Sequence, residues 1–125
     1  MYRFNKIIYL TILIMVTWAC HEKPDLPDPL EAGWEGNKVC EVLHENSKLR
    51  VLKCTFPPDV GHETHYHEPH VGYTLSGGTF KIDDAEGIRE VSIPDGYSWS
   101  RDTISTHTVK NIGNTTSTFL IIEYK

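Results

Sequence analysis

Residues 58–78 read PDVGHETHYHEPHVGYTLSGG, and four of the chain's seven histidines, His62, His65, His67 and His70, fall inside them. In an extended strand, side chains two apart share a face. His65 and His67 therefore project together, as two ligands of one metal must. His70 has the wrong parity for a straight strand. Pro69 lies between and cannot donate to a ladder, so a bend is expected there that brings His70 back to the same side. His62 follows Asp59 and is expected to be solvent-exposed in a turn. A further ligand must come from elsewhere, and His107 in THTVKN is the candidate.

Outward from this stretch the chain alternates strand and turn. Residues 38–45 (KVCEVLHE) and 49–56 (LRVLKCTF) flank Asn46-Ser47-Lys48, and Pro57-Pro58-Asp59 stops the second strand. Residues 70–76 and 79–82 flank Gly77-Gly78, which reads as a hairpin turn. Residues 88–93, 97–101, 106–111 and 117–124 follow, parted by Asp83 to Gly87, by Pro94-Asp95-Gly96 and by polar links. No helical period appears. About eight short strands with regular turns mean an all-β antiparallel barrel or sandwich.

These spacings resemble the two motifs of the cupin superfamily. The first runs Pro-Gly, five residues, His-x-His, three or four residues, Glu, six residues, Gly. Here Pro58-Asp59, five residues, His65-x-His67, two residues, His70, six residues, Gly77 stand in that order, with Asp59 for the glycine and His70 near the glutamate position. The second runs Gly, five residues, Pro-x-Gly, two residues, His, three residues, Asn. Here Gly96, Asp102-x-Ile104, His107 and Asn111 keep the spacing and lose the inner Pro and Gly. The resemblance covers about residues 38 to 124, and it is closest to small single-domain bacterial cupins of the β-alanine-degradation protein type. It implies a small cupin-type, jelly-roll-like β-barrel with one divalent transition metal held by His65, His67, His70 and His107. With glutamate replaced by His70 the ligand set is neutral, and imidazole suits Zn, Cu, Ni or Fe; the metal expected is one of Fe, Mn, Ni, Cu or Zn. A homodimer is also implied.

Other polar residues near the site have bland and functional readings. Glu63, Glu68 and Asp102 are solvated charges or partners of the ligands. Tyr73 alternates with Val71 and Leu75 and either lines the pocket or packs. Asn111 shares a strand face with His107 and either contacts a ligand or closes the ladder. Phe80 and Trp99 belong to the core or the barrel mouth. His44 and His21 are surface residues.

Three cysteines divide into two cases. Cys40 and Cys54 are symmetric about Ser47, so a hairpin centred there puts them opposite one another. In an oxidising compartment that invites a disulfide; the alternative is two buried free thiols. Cys20 belongs to the N-terminus. Arg3 and Lys6 precede an apolar run over residues 7–16 that has the length of a signal-peptide h-region and is short for a membrane span. Ala19-Cys20 then resembles a bacterial lipoprotein processing site, with Cys20 lipidated. Residues 1–19 are thus read as a lipoprotein signal peptide, 20–37 as a flexible tether rich in proline and acid, and 38–125 as the domain. The location is the cell envelope, the periplasm, with a lipid anchor in the membrane.

The chain has a net charge of −5, and cleavage after residue 19 removes two cations and no acid. This balance excludes a nucleic-acid-binding surface. Two function classes remain: a metal-dependent enzyme, oxygenase or isomerase/lyase in type, acting on a small molecule, and a non-catalytic envelope module that captures a small molecule or a metal.

Overall fold

The computed structural model describes residues 22–125; the expected signal peptide, Cys20 and His21 lie outside them. The described chain is all-β: β1 (Gly33–Trp34), β2 (Asn37–Lys38), β3 (Cys40–Glu45), β4 (Leu49–Phe56), β5 (Gly61–His67), β6 (His70–Ser76), β7 (Gly78–Asp84), β8 (Gly87–Ile93), β9 (Ser98–Arg101), β10 (Ser105–Asn111) and β11 (Ser117–Tyr124). A five-stranded sheet in the order β3-β4-β11-β6-β9 faces a four-stranded sheet in the order β5-β10-β7-β8. Every pairing is antiparallel.

Alternation decides which side chains fill the space between the sheets. On β4, Leu52, Cys54 and Phe56 point inward; on β11, Ser117, Phe119, Ile121 and Glu123 do so. Phe56, Phe80 and Phe119 meet edge to face, with centroids 5.3–5.8 Å apart, the arrangement ring quadrupoles favour. The histidines adjoin this cluster, with Phe56 edge-on to His62 at 6.3 Å.

The first hairpin carries a bulge. Near its turn Glu45 faces Arg50 and His44 faces Val51; past the bulge Val42 faces Leu52 and Cys40 faces Cys54. The extra residue, Leu43, shifts the register by one and aligns the two cysteines, which form a disulfide.

Two sequence expectations are corrected here. Gly77-Gly78 does not close a hairpin, because β6 belongs to one sheet and β7 to the other. The chain crosses between sheets at Gly77, where a Cβ would overlap the carbonyl of Ile93. Glycine is needed for close backbone approach, not for a hairpin turn. The flexible tether over 20–37 is corrected for its described part, which is built into the domain. Residues 27–38 form a strap across the barrel: Tyr66 N–H donates to the Pro27 carbonyl, Pro29 and Ala32 are buried, and β1 and β2 form a small hairpin whose Trp34 covers Gly61. A turn over residues 29–31, closed by Ala32 N–H on the Asp28 carbonyl, aims the Pro29 and Ala32 carbonyls at the barrel, which supplies their partners.

Candidate metal centre

β5 carries three inward histidines because it is not straight. Across the β5–β10 ladder His65 faces His107 and His62 faces Val109, so Glu63 and Thr64 together oppose Thr108. This bulge flips the strand's parity, and His62, His65 and His67 all turn to the interior. The expectation of an exposed His62 is therefore wrong: it is 2 % exposed. Its Nε2 faces the carbonyls of Pro29 and Ala32 at 3.1 and 3.3 Å, so Nε2–H donates to the strap. Its ring lies 3.8 Å from that of His65.

After His67 the chain bends through Glu68-Pro69 and crosses to the other sheet, and His70 points back inside from β6. Asp59, standing where the resemblance expects glycine, has φ 65°, a left-handed conformation that glycine adopts without cost.

Three of the four expected ligands come into one group. Ligand atoms of His65, His67 and His107 all lie within 4.8 Å of one another. The His65 Nε2 stands 3.0 Å from His67 Nε2 and 3.1 Å from His107 Nε2. His70 lies beside the group, its ring 4.8 Å from that of His67.

The far nitrogens explain why the near ones converge. Nδ1–H of His65 donates to the carbonyl of Glu63 at 2.6 Å, and Nδ1–H of His70 to the carbonyl of Glu68 at 2.8 Å. His67 Nδ1 meets Oε1 of Glu123 at 2.8 Å. With these protons committed, the Nε2 atoms of His65 and His67 are bare lone pairs 3.0 Å apart, an arrangement that repels itself until a cation occupies it. Two imidazole nitrogens on one metal at about 2.1 Å stand about 3.0–3.4 Å apart for octahedral to tetrahedral angles. The two separations from His65 fit; His67 and His107 stand farther from each other, within the 4.8 Å span of the group.

Burial, and then the neighbouring imidazoles, hold these rings neutral. His65 is pushed down to about 2 and His107 to about 3 from an ordinary 6.5, and His67 lies well below that value. His70 and His62 are lowered mainly by burial. Neutral imidazole is the form that binds metal.

Glu123, Arg50 and Asp28 were not singled out in the sequence. Glu123 is 2 % exposed and holds His67 with one oxygen. Its other oxygen takes Arg50 Nε at 3.1 Å and Nη2 at 2.6 Å, and Arg50 Nη1 reaches Asp28 of the strap at 3.0 Å. The signal was present: in the apolar alternation Phe119, Ile121, Glu123 an acid occupies an inward position.

Other candidates lie elsewhere. Tyr73 is 42 % exposed on the outer face of β6, because parity puts His70, Gly72 and Thr74 inside. Asn111 is fully buried, but its amide donates to the carbonyls of Phe56 and Thr115 and its oxygen accepts from Gly113 N–H; it ties the ladder together and does not reach the cavity. Glu63 and Glu68 act through their main-chain carbonyls, and Asp102 is exposed.

The histidines open into a cavity of about 780 Å³ between the sheets. Phe56, Phe80, Val91, Trp99, Phe119 and Ile121 form much of its apolar wall.

No protein-family model matches the sequence, and no curated relative does. The fold has clear counterparts among solved structures. A cupin domain from Bordetella pertussis Tohama I superposes with a TM-score of 0.65 at 24 % identity, covering 82 % of this chain and 99 % of its own. An RmlC-like cupin from Shewanella frigidimarina NCIMB 400 gives 0.52 at 19 % identity, covering 68 % and 73 %. The polyketide cyclase RemF from Streptomyces resistomycificus gives 0.56 at 17 % identity, covering 68 % and 63 %. The architecture is the cupin barrel.

Proposed function

We propose that this chain is a metal-binding protein of the bacterial cell envelope, anchored through a lipid on Cys20, and that it works as a metal-dependent enzyme on a small organic molecule. An oxygenase or an isomerase/lyase-type reaction fits the site. One observation carries the reading: the Nε2 atoms of three histidines come together on the wall of a cavity large enough for a small molecule. The envelope location rests on the N-terminal sequence alone.

His65, His67 and His107 would hold the metal. A divalent transition metal there supplies Lewis acidity, and iron or copper adds redox chemistry. Three ligands leave coordination open, the mark of a catalytic site. His70 is the residue placed to move a proton: its Nδ1–H is committed to the Glu68 carbonyl, so Nε2 is a free base facing the cavity. Glu123 keeps His67 in the tautomer that presents Nε2. The apolar wall offers a surface for the body of a small organic molecule. RemF is a cyclase on the same architecture, so the barrel can host catalysis, though fold alone does not transfer an activity.

The alternative is a non-catalytic module that binds a small molecule or a metal. It is favoured by the commitments of Glu123 and Asp84 to arginines, which leave no free carboxylate beside the histidines among the described residues. A homodimer fits either reading, with Tyr73 and Leu75 on the exposed outer face of β6 as the surface to be covered; light scattering tests it.

The deciding experiment is metal content by mass spectrometry, on protein purified without a metal-chelating tag, beside a His65→Ala/His67→Ala variant. Near-stoichiometric metal in the parent and little in the variant supports the reading, and the metal's identity separates oxygen chemistry from zinc roles. A parent that stays empty after exposure to Fe(II), Mn, Ni, Cu and Zn overturns it.

A further inference from the structure

Four charged side chains reach the cavity wall: Asp84, Glu86, Arg89 and Arg101. Three of them satisfy one another. Arg89 donates to both oxygens of Asp84 at 2.8 and 3.0 Å and stands 3.5 Å from Glu86. Arg101 differs. Among the described residues it forms no ion pair. Its one hydrogen bond there runs from Nη1 to the Ser100 carbonyl at 3.0 Å, which leaves most of its five donors unused.

Its place in the ladder is informative. On the edge strand β9, Arg101 shares parity with Trp99, and both line the cavity. Arg101 lies directly opposite His70, and Trp99 opposite Gly72. Gly72 has no side chain, and the Trp99 indole occupies that space; a Cβ there would overlap the ring. Beyond Trp99 comes Phe119, edge on at 6.1 Å. The wall thus grades from a free guanidinium beside the histidines to aromatic surface deeper in the barrel.

The histidine end is also short of negative charge. A divalent cation on three neutral imidazoles keeps its full charge, and the Glu123 carboxylate is shared with Arg50. An anion is therefore favoured at the same end that Arg101 borders.

We propose that the cavity takes an amphipathic organic anion, with an apolar, aromatic-compatible body against Trp99 and Phe119 and a carboxylate held by Arg101 beside the histidines. The planar guanidinium fork matches a carboxylate with two parallel hydrogen bonds. This names the substrate class for the reading above and rests on it for the cavity being the working site. The contact between Arg101 and the anion does not require the metal.

The test is calorimetric titration of the purified protein, metal-free and zinc-loaded, with 4-phenylbutyrate and with its neutral amide as probes. The acid is expected to bind roughly tenfold more tightly than the amide in the metal-free protein. Arg101→Gln should abolish that preference while amide binding stays unchanged, and Arg101→Lys should restore part of it. Arg101 is exposed, so the variants should melt with the parent, and circular dichroism checks this. Equal binding of acid and amide overturns the proposal. So does a preference that survives Arg101→Gln, or one that appears only with zinc and ignores Arg101, which would assign the anion to the metal. A preference lost in Arg101→Gln in protein that never holds a metal upholds the anion site and overturns the metal reading alone, so the two fail separately.

Discussion

Glu123 and His67 are 56 residues apart in the chain and meet at 2.8 Å in the interior, Oε1 against Nδ1. The contact sets which nitrogen of His67 is bare, and the Arg50 fork fixes the carboxylate that makes it. Partners of this kind orient a metal-binding imidazole and raise its basicity.

Replacing Glu123 should therefore weaken metal binding without touching a ligand. Glu123→Ala is expected to lower metal affinity by about 10–100-fold, measured by competition with a chromophoric chelator. Glu123→Gln keeps an acceptor opposite Nδ1 and should lose less. Equal affinity in all three proteins would show that the contact does not orient His67.

The metal-free protein should lose stability in mild acid. In the unfolded chain these histidines titrate near 6.5, and in the fold His107 is pushed to about 3 and His65 to about 2. Between those values the unfolded chain binds more protons, so stability is complete above about pH 6.5 and declines as pH falls. The window from about pH 6.5 to about pH 5 separates this from carboxylate titration. Melting temperatures of chelator-treated protein should drop across it, and bound metal should flatten the drop. A level profile would contradict the burial of neutral histidines.

The strap should be part of the folding unit. A chain beginning at residue 38 loses the two carbonyls that hold His62 and the Asp28 partner of Arg50. Leaving such buried groups unsatisfied is expected to cost at least about 2 kcal/mol, read by urea denaturation. Metal affinity should fall in the same protein. An unchanged midpoint would return this segment to the status of a tether.

Reduction should soften the barrel. The Cys40–Cys54 bridge closes a loop of 14 residues in sequence separation, and losing it is expected to cost about 3 kcal/mol. A Cys40→Ala/Cys54→Ala variant and the reduced parent should denature at similar, lower urea concentrations. If neither moves, the bridge contributes nothing to stability.

Gly72→Ala puts a methyl group where the Trp99 ring lies. The indole must shift, at a cost of about 1–3 kcal/mol, and its fluorescence should move to the red as it leaves the wall. Unaltered emission and melting would show that the ring has room.

Strand positions and the inward pair His65 and His67 were legible in the sequence, because each follows from a period of two or from one local turn; the cysteine pairing was reached by symmetry about Ser47, but the alignment itself needs the bulge at Leu43. A one-residue bulge was enough to defeat the same rule at His62. Parity along a straight strand sends His62 outward, and only the ladder against β10 shows two residues opposing one. Gly77-Gly78 carried the composition of a hairpin, but whether a glycine pair turns the chain within one sheet or passes it to another depends on what packs beside it, here the backbone of Ile93.

The chain itself determined the all-β class, the turn positions and the histidine pairs that share a face, since backbone alternation and turn chemistry act over a few residues. Tertiary structure alone decided that His107, named from the sequence, joins His65 and His67 while His70 stands aside, that Glu123, Arg50 and Asp28 stand behind His67, and that the acidic N-terminal stretch is a strap. Those contacts join residues 22 to 73 positions apart. Such pairs meet only when two sheets close on one another, and no local period records the distance between them.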